Sequence, residues 1–206
     1  QWVRDDVPGS PACIQFETDV GDRTTSTGGK RNEVAEAFQR PYEGRFFYGM
    51  RFRIDPDWVD AGTDDNFYIL SQFWTGGPPD AAIVYRNGTL RLGVFIAEAT
   101  APADPRLARH EEGVPKDVWI NVVYEYRKSE EDGLLRAWLL REDIDRSYRL
   151  VIDYAGKLSD VEDERSGVWI KAGTYRRANE FGPTVVQMDR NKVGATFEAA
   201  DPRRPG

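Results

Sequence analysis

Lysine, tyrosine and tryptophan side chains recur at alternate positions in Trp169-Ile170-Lys171-Ala172-Gly173-Thr174-Tyr175-Arg176-Arg177. Side chains of a strand alternate between two faces. Read as a strand, this stretch sets Trp169, Lys171, Gly173 and Tyr175 on one face, joined by Arg177 if the strand continues. Ile170, Ala172 and Thr174 take the other face and are small and apolar enough to pack on a core. An ammonium beside a phenol suits an acidic ligand. The glycine between them leaves room for something to lie close against the strand. The plainer reading is an ordinary solvent-facing strand carrying a lysine and a tyrosine.

Other stretches must position that face. Lys30 to Phe38 alternates as a strand, with Arg31, Glu33, Ala35 and Ala37 on one side. Phe46 to Ile54 puts Phe46, Tyr48, Met50, Phe52 and Ile54 on one side and ends at Asp55-Pro56, because proline cannot continue a ladder. Asn66 to Trp74 reads as a strand with Phe67, Ile69, Ser71 and Phe73 toward the core and Tyr68, Leu70, Gln72 and Trp74 away from it. Gln72 and Trp74 together suit a sugar, since an indole stacks on a pyranose ring while an amide bonds hydroxyls or a carboxylate. Ile83 to Arg86 and Thr89 to Phe95 flank Asn87-Gly88, the signature of a two-residue hairpin turn.

Further along, residues 98 to 117 read as loop. Val118 to Tyr126 and Leu134 to Leu140 read as strands, the second entered by the Asp132-Gly133 turn. Residues 141 to 165 carry no clear pattern. Thr184 to Asp189 and Lys192 to Phe197 read as two closing strands, and Asp201 to Gly206 as a frayed tail. About ten short strands with almost no helical period predict an all-β sandwich. At 206 residues the chain reads as a single domain, residues 1 to 206, and it is long enough to bury a good core.

Composition narrows the function. The formal charge of −7 argues against nucleic-acid binding and leaves room for a local basic cleft. No run is apolar enough to cross a membrane, so neither nucleic acid nor membrane is an expected partner. Cys13 is alone and cannot form an internal disulfide. His110 is also alone and reads as a solvated loop histidine. Zinc chemistry lacks its ligands. The chain begins at Gln1 and not at methionine, which reads as a processed or trimmed chain.

Arg31-Asn32-Glu33, Gln72-Phe73-Trp74, the Asp132-Gly133 hairpin and Lys171-Ala172-Gly173-Thr174-Tyr175-Arg176 resemble, in that order along the chain, the signature elements of the β-jelly-roll polysaccharide lyases. That group includes heparin lyase I-like, glucuronan lyase-like and alginate lyase-like enzymes. The resemblance spans roughly Arg31 to Phe197. It implies a two-sheet, concanavalin A-like jelly roll with a concave groove, acting outside the cell as a monomer on an anionic polysaccharide. Such an enzyme removes the C5 proton of a uronate and expels the oxygen at C4. The resemblance gives Tyr175 the role of both base and acid in a syn elimination. Arg31 and Gln72 would neutralise the substrate carboxylate. Lys171, Glu33, Trp74, Tyr68, Trp169 and Arg177 would bind substrate, with Glu33 orienting Arg31. Where the family carries a cleft histidine this chain has Trp74, so an anti elimination through histidine is not available. No cofactor is required. A structural calcium ion is known in related jelly rolls, and Asp189 and Glu17 are the candidates for it, although surface carboxylates are the preferred reading of both.

Two other readings stand beside the lyase. One is a noncatalytic carbohydrate-binding module on the same fold. The other is a glycoside hydrolase, which needs two carboxylates about 5–10 Å apart. Hydrolases of this fold carry a Glu-x-Asp-x-Glu strand, whereas Glu162-Asp163-Glu164 are consecutive and would face alternately.

Overall fold

The computed structural model describes residues 2–3, 13–19, 21–22, 29–35, 44–60, 68–76, 79–94, 109–158, 167–177 and 182–204. The first strands are β1 (Trp2–Val3), β2 (Cys13–Thr18), β3 (Gly29–Ala35), β4 (Phe46–Ile54), β5 (Tyr68–Trp74), β6 (Ala81–Arg86), β7 (Thr89–Val94) and β8 (Arg109–Gly113). They are followed by β9 (Ile120–Arg127), β10 (Gly133–Arg141), β11 (Arg149–Gly156), β12 (Trp169–Arg177), β13 (Thr184–Gly194) and a short helix, α1 (Phe197–Ala200). Seven strands form one sheet in the order β1-β2-β13-β4-β9-β10-β11, and six form the other in the order β3-β12-β5-β6-β7-β8. The two sheets face each other as an all-β jelly-roll sandwich.

Alternation builds the layer between the sheets. Phe46, Tyr48, Met50, Phe52 and Ile54 of β4 point inward, as do Ile120, Val122, Tyr124 and Tyr126 of β9. From the six-stranded sheet, Phe73 of β5 and Ile170 and Ala172 of β12 meet them. Phe73 stacks on Tyr126 with ring centroids 4.7 Å apart and meets Tyr124 edge-on at 5.3 Å. Aromatic pairs in these geometries add about 0.5–1.5 kcal/mol each beyond the area they bury. Thr174 and Thr18 share a buried hydroxyl–hydroxyl bond of 2.5 Å, which ties β12 to β2 of the other sheet. Asn87 and Gly88 both take positive φ, 47° and 76°, as a two-residue hairpin turn of this kind requires.

The structure departs from the expected alternation in β5. Tyr68 and Leu70 point into the core, where each is almost fully buried, and Ile69 points out beside Ala82 and Val84. The β5–β6 register slips between Ile69 and Ser71. One extra residue in a strand reverses every side chain on one side of it. Gln72, Phe73 and Trp74, beyond the slip, keep the faces that the pattern gives them. Tyr68 therefore offers no stacking surface to a sugar: its ring packs against Trp58 at 5.1 Å, and Arg176 lies opposite it in register.

Other expectations also need correction. Within the stretch read as loop, residues 109–113 form β8, and His110 there is half-buried with Nε2 3.0 Å from a Glu112 carboxylate oxygen. On the same strand Glu112 accepts from Arg149 of β11 at 3.0 Å, a bond between the open edges of the two sheets. Arg149–Gly156, without a clear pattern in sequence, pairs along β10. The two closing strands are one, β13, broken in register between Asp189 and Lys192, where Arg190 adopts φ 53°. Asp201 and Pro202 are buried and not frayed. A side chain on Gly49 would run into the Ala200 carbonyl, so the backbone of the C-terminal segment lies directly on β4.

Candidate active site

Three neighbouring strands, β3, β12 and β5, bring the sequence-distant candidates onto the outer face of the six-stranded sheet. Tyr175 lies opposite Arg31 on one side and Ile69 on the other. Gly173 faces Glu33, Lys171 faces Gln72, and Trp169 faces Trp74. The buried residues between them, Phe73, Ile170 and Ala172, anchor these strands to the core and fix the outward direction of their neighbours.

Glu33 is the hub. Its carboxylate accepts a 2.7 Å bond from the Gln72 amide and pairs with Arg31 Nε at 3.0 Å. The Glu33 side chain is 3% exposed, against 36% for Arg31. Burial pushes the Glu33 carboxyl above its ordinary value, against the Gln72 bond and the charges of Arg31 and Lys171. The Arg31 guanidinium lies over the Tyr175 ring, 4.2 Å from its centroid. Gln72, Glu33, Arg31 and Tyr175 thus form one contiguous chain of contacts.

A second group lies along the same face. The Lys171 ammonium sits 3.7 Å from the centroid of the Trp74 ring, and Trp169 packs on Trp74 at 5.2 Å. Burial and repulsion from Arg31 lower the Lys171 pKa, with Glu33 offsetting part of the effect. Lys171 and Tyr175 are four residues apart, about 13 Å along a strand. The cation that meets the phenol ring is therefore Arg31. One face of Trp74 is already covered by the ammonium. Arg177 closes β12, and its side chain lies outside the described residues.

Gly173 has φ 141°, and a Cβ there would collide with the Asn32 carbonyl. The β12–β5 pairing slips beside it, between Ala172 and Tyr175. What lies close to this glycine is the backbone of β3, not a ligand. Two features went unread in sequence. Gly29 lies under the Tyr175 ring, where a Cβ would collide with it. Ile69, Ala82 and Val84 form an apolar patch against which Tyr175 packs. The alternation of β6 could have placed Val84; the β5 slip hides Ile69.

The two calcium candidates do not meet. Asp189 accepts a 3.1 Å bond from Arg51, whereas Glu17 pairs in register with Val185, four residues away on β13. Among the described residues no group of three His, Cys, Asp or Glu side chains is placed to hold a metal ion. The same residues contain no helix long and apolar enough to cross a membrane. Glu162-Asp163-Glu164 lie outside the described residues.

Known structures share this jelly-roll fold. The alginate lyase from Klebsiella pneumoniae superposes with a TM-score of 0.63 at 12% identity, covering 96% of this chain and 85% of that one. An alginate lyase from Pseudomonas aeruginosa gives 0.56 at 16% identity, covering 95% and 86%. The catalytic domain of a glycoside hydrolase family 131 protein from Coprinopsis cinerea gives 0.64 at 12% identity, covering 95% and 75%. These likenesses show the fold. Comparison with curated protein sequences gave no match. A family profile described as Polysaccharide lyase matches residues 2–192, and the chain belongs to that family.

Proposed function

We propose that this chain cleaves a uronic-acid polymer by syn β-elimination, with Tyr175 as both base and acid. The observation that carries the reading is the contact chain from Gln72 through Glu33 and Arg31 to the Tyr175 ring. A C5 proton beside an ionised carboxylate is only weakly acidic, so neutralising that carboxylate comes first. Arg31 supplies charge, and the Gln72 amide supplies a hydrogen bond. Glu33 holds both donors and leaves the terminal nitrogens of Arg31 to the substrate. The Tyr175 phenolic oxygen then acts as the base and takes the C5 proton. The C–H electrons form the C4–C5 double bond, and the C4–O bond breaks. The phenol returns the proton to the departing oxygen, which lies on the same sugar face. Atoms and charge balance, with an unsaturated uronate on one fragment and a hydroxyl on the other. The step needs no cofactor, and one chain supplies every group in it, which fits a monomer. A polymeric substrate fits action outside the cell.

A hydrolase would need a second carboxylate in the site. Strands β3, β5 and β12 contribute one, Glu33. The test is to incubate the protein with alginate, glucuronan and heparan sulfate and to follow both ultraviolet absorbance and reducing ends. Elimination raises both signals on at least one polymer. Reducing ends without absorbance would replace the lyase with a hydrolase. Binding in a calorimeter with neither signal would leave a noncatalytic carbohydrate-binding module.

A further inference from the structure

The outer face of the six-stranded sheet extends well past Tyr175. The strand registers carry a single row across it: Arg31, Tyr175, Ile69, Val84, Arg91 and Glu111, one from each strand from β3 to β8. At its far end is a cavity of about 370 Å³ lined by Val84, Arg86, Asn87, Thr89, Arg91 and Glu111. That volume lies within the range of small-ligand sites. Val84 belongs both to this cavity and to the apolar patch under Tyr175, so the two are joined by a continuous floor.

We propose that this cavity is a second anion subsite, which binds the carboxylate of a uronate unit distant from the one that is cut. The proposal rests on the lyase reading above. Neighbouring strands lie about 4.8 Å apart, so Arg91 is about 14 Å from Tyr175 across the sheet. A sugar chain laid across the strands advances close to one unit per strand, which brings a unit about three removed from the cut into the cavity. Its lining suits an acidic sugar: two guanidinium groups for the carboxylate, an amide and a hydroxyl for ring hydroxyls, and Val84 for the apolar ring face.

Glu111 is the built-in competitor. Its carboxylate pairs with both Arg91 and Arg109, with Arg109 Nε at 2.6 Å. Burial would raise its pKa, but those two guanidinium groups hold it below the ordinary carboxylate range. The cavity therefore rests with an internal carboxylate where the ligand's would sit, and the two must exchange. This gives the proposal a test with opposite signs. Removing the arginines weakens binding, whereas removing the Glu111 charge strengthens it.

The experiment is calorimetry with uronate dimers and hexamers prepared from alginate, glucuronan and heparan sulfate, using wild type, Arg86→Gln/Arg91→Gln and Glu111→Gln. Expected are about tenfold weaker hexamer binding by the double variant, tighter hexamer binding by Glu111→Gln, and dimer binding unchanged in both. The loss should shrink at high salt. Hexamer binding that is equal in all three proteins overturns the subsite and leaves the lyase reading intact. Equal losses for dimer and hexamer also overturn it, because they mean a general change in the sheet. Hexamer effects of the expected signs in a protein that cuts no polymer support the subsite and remove the catalytic reading. Failure of wild type to bind any uronate hexamer overturns both.

Discussion

At the scale of single residues, the site separates chemistry from positioning. Tyr175→Phe removes one oxygen and keeps the ring on which Arg31 rests. Turnover should fall at least about 100-fold, the lower range for a lost general acid–base group, while calorimetric binding of a uronate oligomer stays near wild type. Retained turnover would remove Tyr175 from the mechanism. Glu33→Gln tests the hub. Glutamine keeps an acceptor for Gln72 but no charge for Arg31, so turnover should drop by up to about 100-fold through misplacement. The same change acts on stability with a definite pH sign. The Glu33 pKa is raised in the fold above its ordinary 4.5. Between those values the folded protein holds a proton that the unfolded chain has released. The stability from this group is therefore fully present below pH 4.5 and is lost as pH rises through the folded pKa. A neutral glutamine has no such loss. The melting temperature of Glu33→Gln relative to wild type should climb from pH 4 to pH 8. A pH-independent difference would mean that Glu33 is not buried as an ionised group.

At the scale of elements, the span and alternation of β12 are legible in sequence, its slip beside Gly173 is not, and β5 is legible only in part. The alternation of Trp169 to Tyr175 holds because its inward residues, Ile170 and Ala172, are apolar and unambiguous. Arg31, Glu33 and Gln72 can be singled out because motif order survives distance in sequence, and the registers set them on the two strands that flank β12, where the Gln72 amide reaches the Glu33 carboxylate. The inward direction of Tyr68 is not legible, because a bulge leaves no reliable mark in an all-apolar run such as Tyr68-Ile69-Leu70. Strand β8 carries no strand signal in sequence, because Arg109, His110, Glu111 and Glu112 are polar on both faces. Only His110 and Glu112 in it are half-buried, and Glu112 is tied to Arg149 across the sandwich edge. Gly29 shows what pattern reading cannot see: its lack of a side chain matters only through a ring on another strand. Gly29→Ala should push the Tyr175 ring aside and cost about 1–3 kcal/mol of overpacking. Turnover should fall more than thermal stability alone explains at a temperature where the variant is fully folded. Unchanged kcat in the folded variant would show that Gly29 does not set the ring's position.

At the scale of the whole molecule, the two outer faces are divided between tasks. The six-stranded sheet presents the candidate site, whereas the seven-stranded sheet is covered in part by the C-terminal segment. Thr196 caps α1 by accepting a bond from the Ala199 amide, and the helix brings Ala200 down onto Phe47 and Val123. Phe197 meets Trp138 and Tyr148 edge-on, each at 5.2 Å. Tyr148 in turn donates a 2.8 Å bond to Asp201, which also accepts from the Arg203 amide. This cover closes an apolar patch on the side away from Tyr175, so it should support stability and leave the chemistry alone. Phe197→Ala deletes two aromatic pairs worth about 0.5–1.5 kcal/mol each, and so should cost about 1–3 kcal/mol in denaturant unfolding. Its kcat/KM on the polymer should match wild type at temperatures well below the melting transition. Lost activity in that fully folded range would mean that the core transmits strain from one face to the other. The division of the sandwich into a working face and a covered face would then have to be given up.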